Sequence, residues 1–376
     1  MQVLQTTLLT GPYDWDPALL PRAEFEARLA RVRTAMAAAG ADALLVQGGA
    51  GDYGGLAYLT GFTPKLDRAV ALVPRAGALR VLAQGTELML PWARRLTWVE
   101  DVRVLANIAV ILEEWLPAQG LGRDATLAVW GEAGMPRALH AGIARALAPQ
   151  GRLVSLDAPL DAIRLRKTPL ELGLVKRAAA ILDATAASFL AAARAGAGNR
   201  AAALAAERTA YAHGAQDARV ATSLSPGGPP LPLDGARDDR LAPLLATLAV
   251  QFAGYWAEGA VTAGAEEGAA SARARAALAA ALDAARPDAG APALLRAATA
   301  ALAPCRPHRL MQGRIGHAIG LSLEEQPLVA DADRLERRGV YVLAVGAQGK
   351  GADAAVASAM IAVTEAGIET LWRGGA

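Results

Sequence analysis

The chain has one cysteine, four histidines and, at 5%, few aromatic residues. The single thiol, Cys305, cannot close an internal disulfide and excludes a thiolate metal cage. By itself it reads as a small buried hydrophobe. No uninterrupted apolar run approaches the ~18 residues of a membrane helix, and the N-terminus lacks a basic segment followed by an apolar one. The expectation is a soluble, cytoplasmic protein that does not engage a membrane. Formal charge is nearly balanced, at +2, and no Lys/Arg cluster is interleaved with aromatics, so nucleic acid is not an expected partner. Hydrophobic residues make up 53% of the chain, but much of that is alanine, which points to helix-rich surface. A length of 376 residues suffices for two domains with a large core.

Residues 1–20 read as an irregular lead-in, broken by Gly11-Pro12 and Pro17. The spacing of Phe25, Leu29, Val32 and Met36 predicts an amphipathic helix over Glu24–Ala39, stopped by Gly40. Asp42–Val46, Val70–Pro74 and Leu79–Leu82 read as strands, the last two joined by a turn at Arg75–Gly77. Leu56–Phe62, between them, reads as a strand end and turn. Helix–strand pairs continue to about residue 150, giving an α/β domain. A junction with one short strand is expected at 151–162. Thr168, Pro169 and Glu171 then form the signature of a capped helix start, for a helix reaching about Ala195. Further helices are expected over 198–213, 269–285 and 291–303, with a loop at Ser225–Pro230. Strands are expected at Leu244–Phe252, Gly254–Thr262, Val340–Val345 and Ala354–Val363.

The chemistry concentrates in Gly313–Pro327, where His317 stands among glycines and is followed by Glu324 and Glu325. Glycines there let backbones approach closely. A histidine in that setting is a packing residue unless its surroundings supply partners.

Three further stretches give those partners a frame. Tyr58-Leu59-Thr60-Gly61-Phe62 followed by Arg68–Pro74 resembles the N-terminal domain of the creatinase/prolidase/aminopeptidase P group. Arg164-Leu165-Arg166-Lys167-Thr168-Pro169-Leu170-Glu171 is similar to the opening of that group's catalytic domain, and Val363–Leu371 to its close. The resemblance spans nearly the whole chain. It implies a two-domain α/β protein, with a creatinase-type N-terminal domain over 1–155 and a pita-bread, aminopeptidase-like domain over 160–376.

Peptide-cleaving members of the group hold two divalent cations with two Asp, one His and two Glu; four carboxylates balance the charge, and the bridged water is acidified into a nucleophile. Here Gly254-Tyr255-Trp256 and Thr262 fix the hairpin register, which places Thr247 and Glu258 at the two Asp positions. Gly316–Pro327 matches the group's His loop, so His317 falls on the ligand histidine and Glu324 on its second histidine. The last two ligands fall near Val345 and Ser358, where the nearest acid is Asp353. Thr, Glu, His, Val and Ser leave one carboxylate and one imidazole, too little charge and too few oxygen donors for two dications. Without metals, four clustered carboxylates would repel or shift their pKa values, and neutral replacements relieve that. The resemblance therefore implies a metal-free variant, with no metal and no cofactor. The group's histidine in the substrate loop has no counterpart around Leu231-Pro232, and the one four residues before His317 is Gly313, although Arg314 still matches.

Candidate catalytic residues are His317, Glu258 and Glu325; candidate substrate contacts are Tyr255, Arg314 and Glu324. Plainer roles stay open beside these. Glu258 reads equally as a solvated strand residue, Glu324 and Glu325 as caps or ion-pair partners, Tyr255 and Trp256 as packing. His140, His213 and His308 read as surface or helix residues. Three functions fit. The first is a non-catalytic binding or partner subunit, dimeric with itself or with an active paralogue; the resemblance allows it, because a histone-chaperone subunit and a nucleic-acid-associated growth regulator share the fold. The second is a metal-independent, creatinase-like hydrolase of a small C–N substrate, for which only His213 offers itself as the further histidine. The third is a metallopeptidase with one cation on Glu258, His317 and a re-registered acid. A small molecule or peptide is the expected ligand class.

Overall fold

The periodic apolar positions of the first helix do what their spacing predicts: α1 (Arg22–Ala38) buries Phe25, Leu29, Val32 and Met36. In this computed structural model residues 11–374 are described, apart from 13, 148, 234, 236, 265–267, 312 and 329–332. The chain divides into two compact units between Arg164 and Leu165.

In the first unit α1 is followed by β1 (Ala43–Gly49), α2 (Gly54–Thr60), β2 (Arg68–Pro74), β3 (Arg80–Ala83), α3 (Leu90–Ala93), β4 (Asp101–Val104), α4 (Ile108–Ala118), β5 (Thr126–Trp130), α5 (Arg137–Leu147), β6 (Arg152–Ser155) and α6 (Asp157–Leu165). The strands form one mixed sheet in the order β4-β3-β2-β1-β5-β6. β1 is central and buried along almost its whole length, which is why it reads as a continuous apolar run rather than an alternating one. Two expectations change. Leu56–Thr60 is helical rather than a strand end, and the segment around Pro159 holds a helix after the expected short strand. Pro159 is tolerated there because it falls in the first turn, where backbone N–H groups have no intrahelical partner.

The second unit opens with α7 (Pro169–Arg194). Its Thr168 side chain accepts the Glu171 N–H while the Glu171 carboxylate accepts the Thr168 N–H, a complete capping box. There follow α8 (Asn199–Ala212), β7 (Asp217–Ser223), β8 (Pro230–Pro232), β9 (Leu244–Phe252), β10 (Tyr255–Ala263), α9 (Ala269–Ala284), α10 (Ala291–Leu302), β11 (Arg306–Pro307), β12 (Gly316–Ala318), β13 (Gln326–Pro327), β14 (Val340–Gln348), β15 (Ala354–Val363) and β16 (Ile368–Gly374). Two antiparallel sheets result, β10-β9-β7-β8 and β13-β12-β14-β15-β16, with β11 on β14. Helix α7 packs on the first and α9 on the second. The sheets meet at β10 and β15, where Thr262 Oγ1 accepts the Val356 N–H at 2.8 Å and Ser358 Oγ accepts the Ala260 N–H at 2.6 Å. This is the two-layer pita-bread arrangement. Among the described residues no helix is long and apolar enough to cross a membrane.

Candidate active site

The hairpin β9–β10 turns through Ala253 and Gly254, both at positive φ, in the two-residue geometry that matches strand twist. The register that follows sets Ala260 opposite Thr247 and Glu258 opposite Ala249. Side chains alternate across a strand, so Thr247, Glu258 and Ala260 share one face. On the other sheet His317 pairs with Val342 and Ala344 with Ser358. Gly316, just before the histidine, needs to be glycine: a Cβ there would run into the Val342 carbonyl. The two faces enclose a cavity of about 60 Å³, lined among others by Thr247, Glu258, Arg314, His317, Ala344 and Ser358. That is far below the ~300–1,000 Å³ of pockets that enclose drug-sized ligands.

Glu258 and His317 are brought together, with Oε2 to Nε2 at 3.3 Å. The other ring nitrogen, Nδ1, lies 3.1 Å from the Ala318 carbonyl oxygen. Both nitrogens therefore face acceptors, and the ring satisfies both only when it carries two protons. Burial of the ring opposes that charge, but the hydrogen bond and charge of Glu258, the Ala318 carbonyl and the charge of Glu324 outweigh it, so the pKa lies above the ordinary histidine value. Contacts on both nitrogens and the neighbouring Glu258 thus favour the protonated ring.

The other candidates divide. Arg314 lines the cavity and its Nη1 lies 3.0 Å from both Glu324 carboxylate oxygens, a partly exposed pair beside the site. Glu325 lies outside the cavity: its Oε2 accepts from Lys167 Nζ at 2.6 Å, with both side chains almost completely buried, and its Oε1 accepts the Leu321 N–H. Tyr255 is buried too, donating its hydroxyl to Glu171 Oε1 at 2.9 Å and so tying β10 to the start of α7. The position expected at Val345 moves by one residue. Ala344 lines the cavity, whereas Val345 lies with Leu343 and Ala347 in the core on the opposite face, against α9. Every residue of Val340–Ala344 is hydrophobic, so the sequence carries no signal of strand parity there. Of the remaining histidines, His140 is exposed on α5 and His213 caps α8 with Nδ1 2.9 Å from the Thr209 oxygen. His308, expected at the surface, is buried.

The residues 28–166 match the model of the creatinase/prolidase N-terminal domain. Residues 173–366, more than half of the chain, match that of metallopeptidase family M24. The chain belongs to metallopeptidase family M24. Among solved structures this M24 chain is similar to an X-Pro aminopeptidase from Thermotoga maritima, at 19% identity and TM-score 0.75 over 92% of this chain and 97% of that one. It is likewise similar to the dipeptidase PepE from Mycobacterium ulcerans, at 22% and 0.73 over 96% and 97%. A prolidase from Pyrococcus horikoshii OT3 aligns at 17% and 0.72 over 92% and 97%. No curated protein matches.

A two-metal centre, which the family implies, does not fit the side chains present. Among the described residues no group of three or more His, Cys, Asp or Glu is placed to hold a metal ion. The donors at the five positions are Glu258 and His317, and they are engaged with each other; Ser358 is bonded to Ala260. Asp353, the nearest acid in sequence to the last two positions, stands at the β14–β15 turn and accepts the Ala270 N–H at 3.2 Å.

Proposed function

We propose that this M24 chain is not a working dinuclear metallopeptidase and acts as a binding or partner member of its family. The observation that carries the reading is the donor set: Thr247, Ala344 and Ser358 line the cavity at or next to positions where the family resemblance leads one to expect carboxylates, and Glu258 is already paired with His317. Two dications brought there would meet one carboxylate already paired with His317, too little negative charge to balance them. The partner in this reading is a second copy of the chain or a metal-bearing paralogue. Elemental analysis of the purified protein, with Xaa-Pro dipeptide and tripeptide assays in Mn²⁺ and Co²⁺, tests it. The outcome that defeats it is two tightly bound ions per chain with hydrolysis that depends on them.

One observation favours a second reading, a metal-independent hydrolase of a small amide or amidino C–N bond. The Glu258–His317 pair holds a transferable proton beside a cavity, with Arg314 on its wall. In that reading water attacks the carbon and gives a proton to Glu258. The C–N bond breaks as His317 gives its proton to the leaving nitrogen, and proton transfer from Glu258 to His317 restores the pair. Hydrolysis of creatine-like or other small amides that resists chelators, and that His317→Ala abolishes while the far-UV spectrum stays unchanged, would establish it. Its absence across such substrates leaves the binding reading standing.

A further inference from the structure

A cleft of about 1090 Å³ opens in the second unit at one end of the β14 face that also lines the Glu258–His317 cavity. Val342 and Ala344 line the cavity; Gln348, on the same face, lines the cleft. At ~3.3 Å per residue the step from Ala344 to Gln348 is about 13 Å. His308 stands between them. A Cβ on Gly346 would come within 2.6 Å of the His308 Cβ, so the histidine occupies the room a side chain at 346 would need. Its Nδ1 accepts the Leu310 N–H at 3.1 Å and its Nε2 donates to the Gly227 carbonyl at 3.2 Å, the pattern of a neutral ring that closes the cleft floor.

The charge in the lining is one-sided. Arg306 and Arg309 come from the segment around β11, and Lys350 from the β14–β15 turn. None of the three has an acidic partner among the described residues. Several surface cations elsewhere in this unit do have acidic partners: Arg166 with Glu336, Lys176 with Glu369, Arg219 with Asp217, Arg337 with Asp288. The one carboxylate lining the cleft among the described residues, Asp353, is held at the start of α9 by the Ala270 N–H. Like charges gathered from two segments around a cleft repel one another, and an anion removes that repulsion. Because exposed contacts are weak one at a time, a useful ligand must engage several together.

We propose that this cleft binds a small polyanion carrying two or more phosphate or carboxylate groups, held by Arg306, Arg309 and Lys350. The site is separate from the Glu258–His317 cavity, and its existence does not depend on which reading of that cavity holds. Calorimetric titration of the full chain at low salt with pyrophosphate and, in parallel, with citrate tests it. The expected result is saturable binding of at least one, weakened at least tenfold by Arg306→Ala/Arg309→Ala and by Lys350→Glu, and weakened by added NaCl. Pyrophosphate alone points to a phosphate ligand, citrate alone to a polycarboxylate. Lys350→Glu lies on an exposed turn, so it keeps the test decisive if the double variant fails to fold. Arg273→Ala, which removes an exposed charge on α9 outside the lining, should leave binding unchanged. No saturable binding of either anion, or an equal loss in Arg273→Ala, overturns the proposal.

Discussion

The Ser358 hydroxyl accepts the Ala260 N–H at 2.6 Å and lies 3.3 Å from the Ala260 carbonyl, so it bonds β15 to β10 across the seam between the two sheets. The hydroxyl is fully buried. At a position where the family resemblance places a metal-bound carboxylate, the protein has a fastener that needs no ion. Ser358→Ala withdraws both bonds and should destabilise the fold by about 1–3 kcal/mol, read as a lower urea midpoint with unchanged slope.

The imidazolium of His317 makes stability depend on pH with a defined sign. A histidine whose folded pKa is raised stabilises the fold fully below the unfolded value of about 6.5, and that contribution is lost as pH rises through the folded pKa. The stability difference between the native chain and His317→Gln should therefore be largest near pH 6 and shrink towards pH 9. The slope is bounded by one proton, about 1.4 kcal/mol per pH unit. Urea unfolding across that range measures it; a difference that grows with pH would contradict the protonated ring.

Restoring donors should restore affinity for metal. Thr247→Asp with Ala344→Glu adds two carboxylates to the cavity while leaving the Ser358 fastener in place. Dialysed native protein should hold far less than one Mn²⁺ per chain, and the double variant should bind Mn²⁺ at least about tenfold more tightly, because hard dications follow oxygen count and charge. Equilibrium dialysis with elemental analysis reads both.

The Lys167–Glu325 pair gives a test of what Glu325 does. Removing one partner of a buried ion pair leaves the other charge uncompensated, so Lys167→Met should cost about 3–5 kcal/mol. Adding Glu325→Leu should recover most of that loss, since a buried pair is often no more stabilising than apolar side chains of similar size. A double variant no more stable than the single one would show that Glu325 has a further role.

Loss of the capping box should be milder. Thr168→Ala removes the acceptor for the Glu171 N–H and should cost about 1 kcal/mol, measurable by thermal unfolding.

The capped start of α7, the apolar face of α1 and the pairing of β9 with β10 were legible in the chain because each depends on neighbours within a few residues. So was the meeting of Thr247, Glu258, His317 and Ser358, through motif spacing and hairpin register. What stayed hidden depends on contacts distant in sequence. Glu324 and Glu325 are adjacent and chemically alike, yet one meets Arg314 beside the cavity and the other meets Lys167 in the interior. His308 gives no local sign that Gly346 makes room for it.

The apolar face of α1, the capped start of α7 and the β9–β10 hairpin follow from the sequence alone, because residue identity and short spacing fix them. Which of Ala344 and Val345 faces the cavity, which glutamate is buried, and where unpaired cations converge are decided by the tertiary fold. Strand parity in an all-apolar run and the direction of a side chain in a tight loop are set only by what packs against them.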